Sequence, residues 1–256
     1  MATVVQDLTD EWTGLANMRA PWESYWRDIA RYVLPQTQHF DMLISKGGGD
    51  AITSVVGTPV AARRSRDLYD MTSLWAIERL TAGMISLKTP ESQTWHDLGT
   101  DDVFGGDPSE EEKRACERLR DYLFKVRSNP SSGFWPAHKA AMRSMCAFGD
   151  GWMFIEENVS GGAKLPYVYQ YMPLYECFPG VDSAGQPDRM HRCFRWSAIQ
   201  IVKKFGAENV SKTVVNMAND LRKKHDTVRV LHAVRPRDEA SRAAKMGTRG
   251  AEFGSY

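Results

Sequence analysis

Two pairs of carboxylates are the first residues to test for chemistry. Glu156 and Glu157 lie in a run of aromatic and branched residues, and Asp182 and Asp188 flank the turn DSAGQP. Either pair would contribute to a divalent-metal site of a nuclease or other hydrolase if its oxygens converged. Adjacent residues of a strand point to opposite faces, which separates Glu156 from Glu157. Turn aspartates accept backbone amides, which is the competing use of Asp182 and Asp188. The six histidines, His39, His96, His138, His191, His225 and His232, show no HExxH or H-x-H spacing, and no GxSxG elbow occurs. The glycines at 47, 48 and 49 lack the lysine and hydroxyl of a phosphate loop and precede Asp50, whose charge opposes phosphate. The expectation is therefore a chain without a catalytic set, a metal site or a cofactor.

A basic stretch is the other chemical signal. Between Asp220 and Arg249 nine lysines and arginines face four acids, although the whole chain of 256 residues carries a formal charge of only +1. Arg222, Lys223, Lys224 and Arg229 are the residues expected to meet DNA phosphate, and repetition around an oligomer would multiply a weak local site. A solvated, charged helix end is the alternative reading of the same residues.

Composition sets the frame for these residues. With 42% hydrophobic and 25% charged residues, the chain can bury a sizeable core as one large domain or two small ones. Cys116, Cys146, Cys177 and Cys193 form no CxxC pair, so buried reduced thiols of a cytoplasmic protein are expected rather than zinc ligands. The start MATVVQDLTDEW has no signal-peptide pattern, and no run approaches the ~20 apolar residues of a membrane span.

The elements that must position these residues are helical first. Val5, Leu8, Trp12 and Leu15 repeat at helical spacing; Trp22, Tyr25, Trp26, Ile29 and Val33 repeat again after Pro21, which predicts two amphipathic helices. Trp12, Trp22 and Trp26 are expected in a core, with a subunit interface as the alternative. Leu74, Ile77, Leu80, Met84 and Leu87 predict a helix from Met71 to Leu87, widened by Trp75, Ala76 and Ile85, covered on more than one side and stopped by Thr89 and Pro90. Asp70 or Ser73 would cap it. A third helix is expected from Pro108 to Arg127, capped by Asp107, and a fourth follows with Ala137, Ala141, Met145 and Phe148 aligned. Residues 149–256 change character. Trp152 to Glu156 and Leu165 to Tyr171 predict a hairpin, Cys177 to Val181 and Asp188 to Trp196 predict two more strands, and Ser197 with Gln200 predicts a capped helix. Val228, Val230, His232 and Val234 alternate as a strand, and the end MGTRGAEFGSY carries no packing signal. The fold class expected is α+β: a mainly helical part over residues 1–148 and an α+β part with antiparallel strands over residues 149–256.

Several blocks carry a resemblance. "MRAPWESYWRDIARYVLP" at 18–35, "LYD" at 68–70, a helix with Ala82 and Gly83, "LKTP" and "TWHDL" at 87–98, "GDGWMFIEEN" at 149–158, and "YMPLYECFPGVDSAGQPDRMHRCFRWSAIQIVKKFG" at 171–206 follow one another in this order. Together they resemble the head-to-tail connector, or portal, family of short-tailed bacteriophages. His96 departs from the pattern, where an aromatic often follows the tryptophan, and the chain stops before the segments that would form stem and clip.

The resemblance implies a wing-type region of a structural subunit that closes into a dodecameric ring at the capsid vertex. Such a ring passes double-stranded DNA during packaging and ejection, and docks terminase, capsid protein and tail adaptor proteins. It also implies a virion location after assembly in the host cytoplasm. A metal-dependent hydrolase and a tail adaptor stand as the alternatives.

Overall fold

The computed structural model describes residues 2–34, 70–99, 109–158, 165–237 and 252–256. The fold is α+β. Six helices occur among the described residues: α1 (Ala2–Tyr32), α2 (Thr72–Lys88), α3 (Glu110–Ser128), α4 (Phe134–Phe148), α5 (Ala198–Phe205) and α6 (Lys212–Asn219). The strands form two antiparallel sheets. One is the hairpin of β1 (Trp152–Glu157) and β2 (Tyr167–Met172). The other has the order β3-β4-β5-β6, built from Cys177–Val181, Pro187–Ser197, Thr227–Pro236 and Phe253–Ser255. The residues divide into two compact units, Met1–Ser24 with Glu176–Tyr256, and Tyr25–Tyr175.

In the first unit the four-stranded sheet is a meander whose register sorts its side chains onto two faces. Phe178 pairs with His191 and His191 with Ala233, so these three share a face with Cys193, Arg195, Leu231 and Arg229. The N-terminal part of α1 covers that face. Trp12 meets Phe178 edge-on at 5.6 Å, and Phe178, His191 and Ala233 are fully buried on that face. At Gly180, beside a break in register, an added Cβ would lie 2.6 Å from the Arg189 side chain and 3.3 Å from Leu15 of α1. The opposite face carries Phe194 and Trp196, with Phe205 of α5 6.1 Å from Trp196. Gln200 Oε1 accepts the Ser197 amide at 2.9 Å, which realises the predicted capping box at the start of α5.

The second unit packs α4 against the hairpin. Phe134, Ala137 and Tyr169 are buried together, with Trp95, Trp135, Met153 and Tyr171 around them. A second cluster joins Trp26, Ala30 and Leu174 to Phe148, Trp152 and Tyr175. Gly133 opens α4 at φ 69°, and a Cβ there would meet the Tyr169 carbonyl at 2.9 Å, so glycine is required twice over. Thr89 ends α2 and bonds His138 Nε2 through its hydroxyl at 2.8 Å. Glu78 of α2 and Arg143 of α4 form an ion pair at 2.7 Å.

Five expectations are corrected by this arrangement. The N-terminal pair of helices is one helix, α1, with Pro21 inside it. Asn17 and Pro21 are both exposed, so the carbonyl deprived of its amide partner faces water, and the Pro21 carbonyl takes the Ser24 hydroxyl at 3.0 Å. α2 is not covered all round: Thr81 is its buried residue, whereas Trp75, Leu80 and Leu87 are 66%, 50% and 83% exposed. The side toward α4 is the one with Leu74, Ile77, Thr81 and Ile85, rotated from the predicted stripe. α3 is capped by Ser109, whose hydroxyl accepts the Glu112 amide at 3.3 Å; Asp107 and Pro108 lie outside the described residues. The buried face of α4 runs through Phe134, Ala137, Ala141 and Ser144, leaving Met145 exposed, because Ser144 is turned inward to donate to the Asp150 carbonyl. Finally, the C-terminal tripeptide Phe253–Ser255 pairs with Val234–Pro236 as β6.

Phe178 carries the load of the α1–sheet contact. Phe178→Ala is expected to cost about 3–5 kcal/mol, read as a lower urea midpoint with an unchanged slope.

Candidate functional site

The two carboxylate pairs do not converge. Glu156 is half-buried and Glu157 exposed on alternate faces of β1. Asp182 accepts the amides of Ala184 and Gln186 at 2.8 and 2.9 Å, which is the turn-capping use. Asp188 is occupied by Arg189 through two contacts of 2.9 and 2.7 Å. Among the described residues no cluster of three or more histidines, cysteines or acids is placed to hold a metal. The 47–50 segment lies outside the described residues.

The structure assembles instead a charged cluster that the sequence does not announce. Glu11 of α1 receives Arg189 Nη1 at 2.7 Å and Arg235 Nη1 at 3.1 Å, and His191 Nε2 lies 3.4 Å from the same carboxylate. These partners come from β4 and β5, far along the chain, and alternation on the sheet puts all three under α1. Burial alone would raise the Glu11 carboxyl, but the Arg189 and Arg235 hydrogen bonds and the Arg189 charge outweigh it and hold the group below its ordinary value. His191 is pushed down by burial, against the pull of Glu11 and with the repulsion of Arg235 and Arg189, so it is neutral near pH 7. Glu11 and Asp188 together neutralise the Arg189 and Arg235 guanidiniums, and the arrangement is a clamp that ties α1 to the sheet.

The basic residues occupy one end of the same sheet. Asp220 folds the turn that carries Arg222, Lys223 and Lys224: its side chain accepts the Arg222 amide at 2.9 Å and its carbonyl accepts the Lys223 and Lys224 amides at 3.0 and 2.8 Å. Arg222 and Lys223 are exposed and Lys224 is half-buried. Arg229 is exposed on β5 with its guanidinium 5.6 Å from the Trp12 ring. The tryptophans separate. Trp12 packs on Phe178, Trp26 belongs to a buried cluster, and Trp22 is 62% exposed. No helix among the described residues is long and apolar enough to cross a membrane.

Comparison with known proteins bears on these charged surfaces. The family model described as bacteriophage head to tail connecting protein matches residues 5–256. The chain belongs to this family of phage connector proteins. Over 231 residues, 90% of the chain, it is 23% identical to the probable portal protein of Bordetella phage BPP-1 and covers 38% of that protein. Over 206 residues, 79% of the chain, it is 25% identical to the portal protein of Salmonella phage epsilon15 and covers 33% of it. The connector chain therefore spans about a third of the length of these curated relatives. Neither the family description nor these relatives' names speak of a nuclease or a tail adaptor.

The clamp has a pH signature. Because the His191 value is depressed in the folded state, the unfolded chain takes up a proton first as pH falls through about 6.5, and stability drops from there downward. The loss is at most about 1.4 kcal/mol per pH unit. A second loss begins at lower pH, where the unfolded chain's Glu11 takes up a proton in the ordinary carboxylate range, and is complete once the folded Glu11, held lower, is protonated as well. Urea midpoints between pH 7.5 and 5.5 should fall for the parent chain and fall less for His191→Gln.

Proposed function

We propose that this connector chain is the wing-type part of a portal subunit, which assembles as a ring at the single capsid vertex where head joins tail. Its role is mechanical and not enzymatic. The ring frames the hole through which double-stranded DNA enters during packaging and leaves during ejection. Its outer surfaces dock terminase, capsid protein and tail adaptor proteins. ATP hydrolysis belongs to the packaging motor, which accounts for a connector without a phosphate loop. Within the chain, residues 1–148 supply the mainly helical part of the wing and residues 149–256 its α+β part.

The observation that carries this reading is the family match from residue 5 to residue 256, reinforced by relatives that bear the name portal protein. The surface chemistry is compatible with it. An identical subunit that contacts its neighbour head-to-tail uses two different patches, and a fixed rotation between them closes a ring. Trp22, exposed near the middle of α1, is a side chain expected at such a contact, since tryptophan gives a large area at small entropic cost. Arg222, Lys223, Lys224 and Arg229 are the residues expected to meet DNA, each adding a salt-dependent increment.

Native mass spectrometry of the assembled protein checks the reading. A single species whose mass is a whole-number multiple of the subunit is expected, with twelve as the number; a monodisperse monomer that hydrolyses nucleic acid or ester would contradict it. Trp22→Ala should shift the population toward smaller species while leaving the melting temperature of the subunit within about 2–4 °C.

A further inference from the structure

The four-stranded sheet treats its arginines in two ways. Arg189 and Arg235 hold Glu11, Arg189 also holds Asp188, and Arg192 holds Glu176 at 2.8 Å. Arg195 and Arg229 hold no carboxylate among the described residues, although they stand directly opposite one another in the β4–β5 register. Cross-strand partners bring their Cβ atoms within about 4.5–5.5 Å, and like charges in that position repel. A protein has little reason to oppose two guanidiniums on one face unless something negative is to lie between them.

We propose that Arg195 and Arg229 form an oxyanion site that takes a phosphate group, supplied by a nucleic-acid backbone or by free inorganic phosphate. Both forks are held in place. Arg229 lies over Trp12, which is itself fixed edge-on against Phe178. Arg195 is half-buried, with its Nε buried and without a hydrogen-bond partner among the described residues. Its Nη1 reaches only the Thr227 hydroxyl, at 3.4 Å, a third polar group at the same spot. Burial and then the Arg229 charge destabilise the Arg195 cation, and a bound dianion would reverse the second effect.

The surroundings favour phosphate. The Ala198 amide donates to the Asp226 carbonyl and the Ile199 amide to the Lys224 carbonyl, which brings the turn with exposed Arg222 and Lys223 to the end of the sheet where Ser197 pairs with Thr227. Two planar forks suit a tetrahedral dianion, because guanidinium binds phosphate through paired N–H bonds. The site thus extends the DNA-contact reading from Arg229 to Arg195. It requires neither ring closure nor any partner protein, so it can fail while the portal reading stands.

The test uses the whole chain, its Arg195→Gln, Arg229→Gln and doubly substituted forms, and Arg222→Gln as a neutralisation outside the pair. Thermal melting is compared in sodium phosphate, sodium acetate and sodium chloride at matched ionic strength. The parent and Arg222→Gln should melt higher in phosphate than in chloride, and the doubly substituted form should show no such gain. In chloride the substituted forms should melt no lower than the parent, since a repulsion has been removed. Arg195→Lys, which keeps the charge without the fork, should retain only part of the phosphate gain. No gain in the parent, or an equal gain in the doubly substituted form, would overturn the proposal; an equal gain in acetate would overturn it in favour of a protein carboxylate.

Binding of a duplex DNA across a salt series then separates the two sources. A slope of log affinity against log salt reduced by about one for each arginine removed assigns a backbone phosphate. An unchanged slope, with the phosphate gain lost, assigns free phosphate.

Discussion

The first unit depends on one buried ion pair. Arg19 and Glu23, one turn apart on α1, are 6% and 4% exposed, and Arg19 Nε and Nη2 each lie 3.0 Å from Glu23 Oε1. Arg19 also donates to the Cys177 carbonyl and lies with its guanidinium 3.7 Å from the Phe178 ring centre. Removing two charges from water is expensive, and attraction compensates only where the remaining donors are used. Here they are used: one carboxylate, one carbonyl and one aromatic face surround the same guanidinium. Loss of either partner would strand a buried charge, at about 3–5 kcal/mol. Because both residues sit on one helix, their mutual geometry is set by helix formation, and the bond to Cys177 then joins α1 to β3.

Other features follow from that attachment. With α1 fixed over the sheet, Glu11 reaches Arg189, His191 and Arg235, and Trp12 reaches both Phe178 and Arg229. The helix thus supplies an acid under which three basic side chains of the sheet gather, with Asp188 as a second partner of Arg189, and no carboxylate among the described residues reaches Arg195 and Arg229. Arg195, Arg229 and the turn with Arg222 and Lys223 make the other end of the sheet basic.

What the sequence made legible was local. The β1–β2 hairpin, the β3–β4 turn at Asp182 and the Ser197–Gln200 box were readable because each depends on residues within a few positions of one another. The failures came from tertiary context. Periodicity marked an apolar stripe on α2 but could not say that α4 would cover the side centred on Thr81 and leave Leu87 outside. Pro21 signalled a break, yet one lost hydrogen bond on an exposed side is too small a penalty to split a helix whose other face is anchored by Arg19, Glu23 and Trp26. β6 is three residues long and has no pattern to detect. The Glu11 cluster leaves no local signal because its members are separated by most of the chain, and Arg195 leaves none because a single arginine in a strand has no motif. Asp182 is legible from turn chemistry, since it accepts the Ala184 and Gln186 amides, whereas the Asp188 bond to Arg189 is not. Family membership was readable from the order of several short blocks, none of which was decisive singly.

The central claim is that this chain belongs to the joint between head and tail. Immunogold electron microscopy of intact phage particles, with antibody raised against the chain, tests it most directly. The account predicts label at one vertex per particle, on the side of the head that carries the tail, and retained on tailless heads at that same vertex. Label spread over all vertices, confined to detached tails, or absent from particles and present only in soluble extract would contradict it.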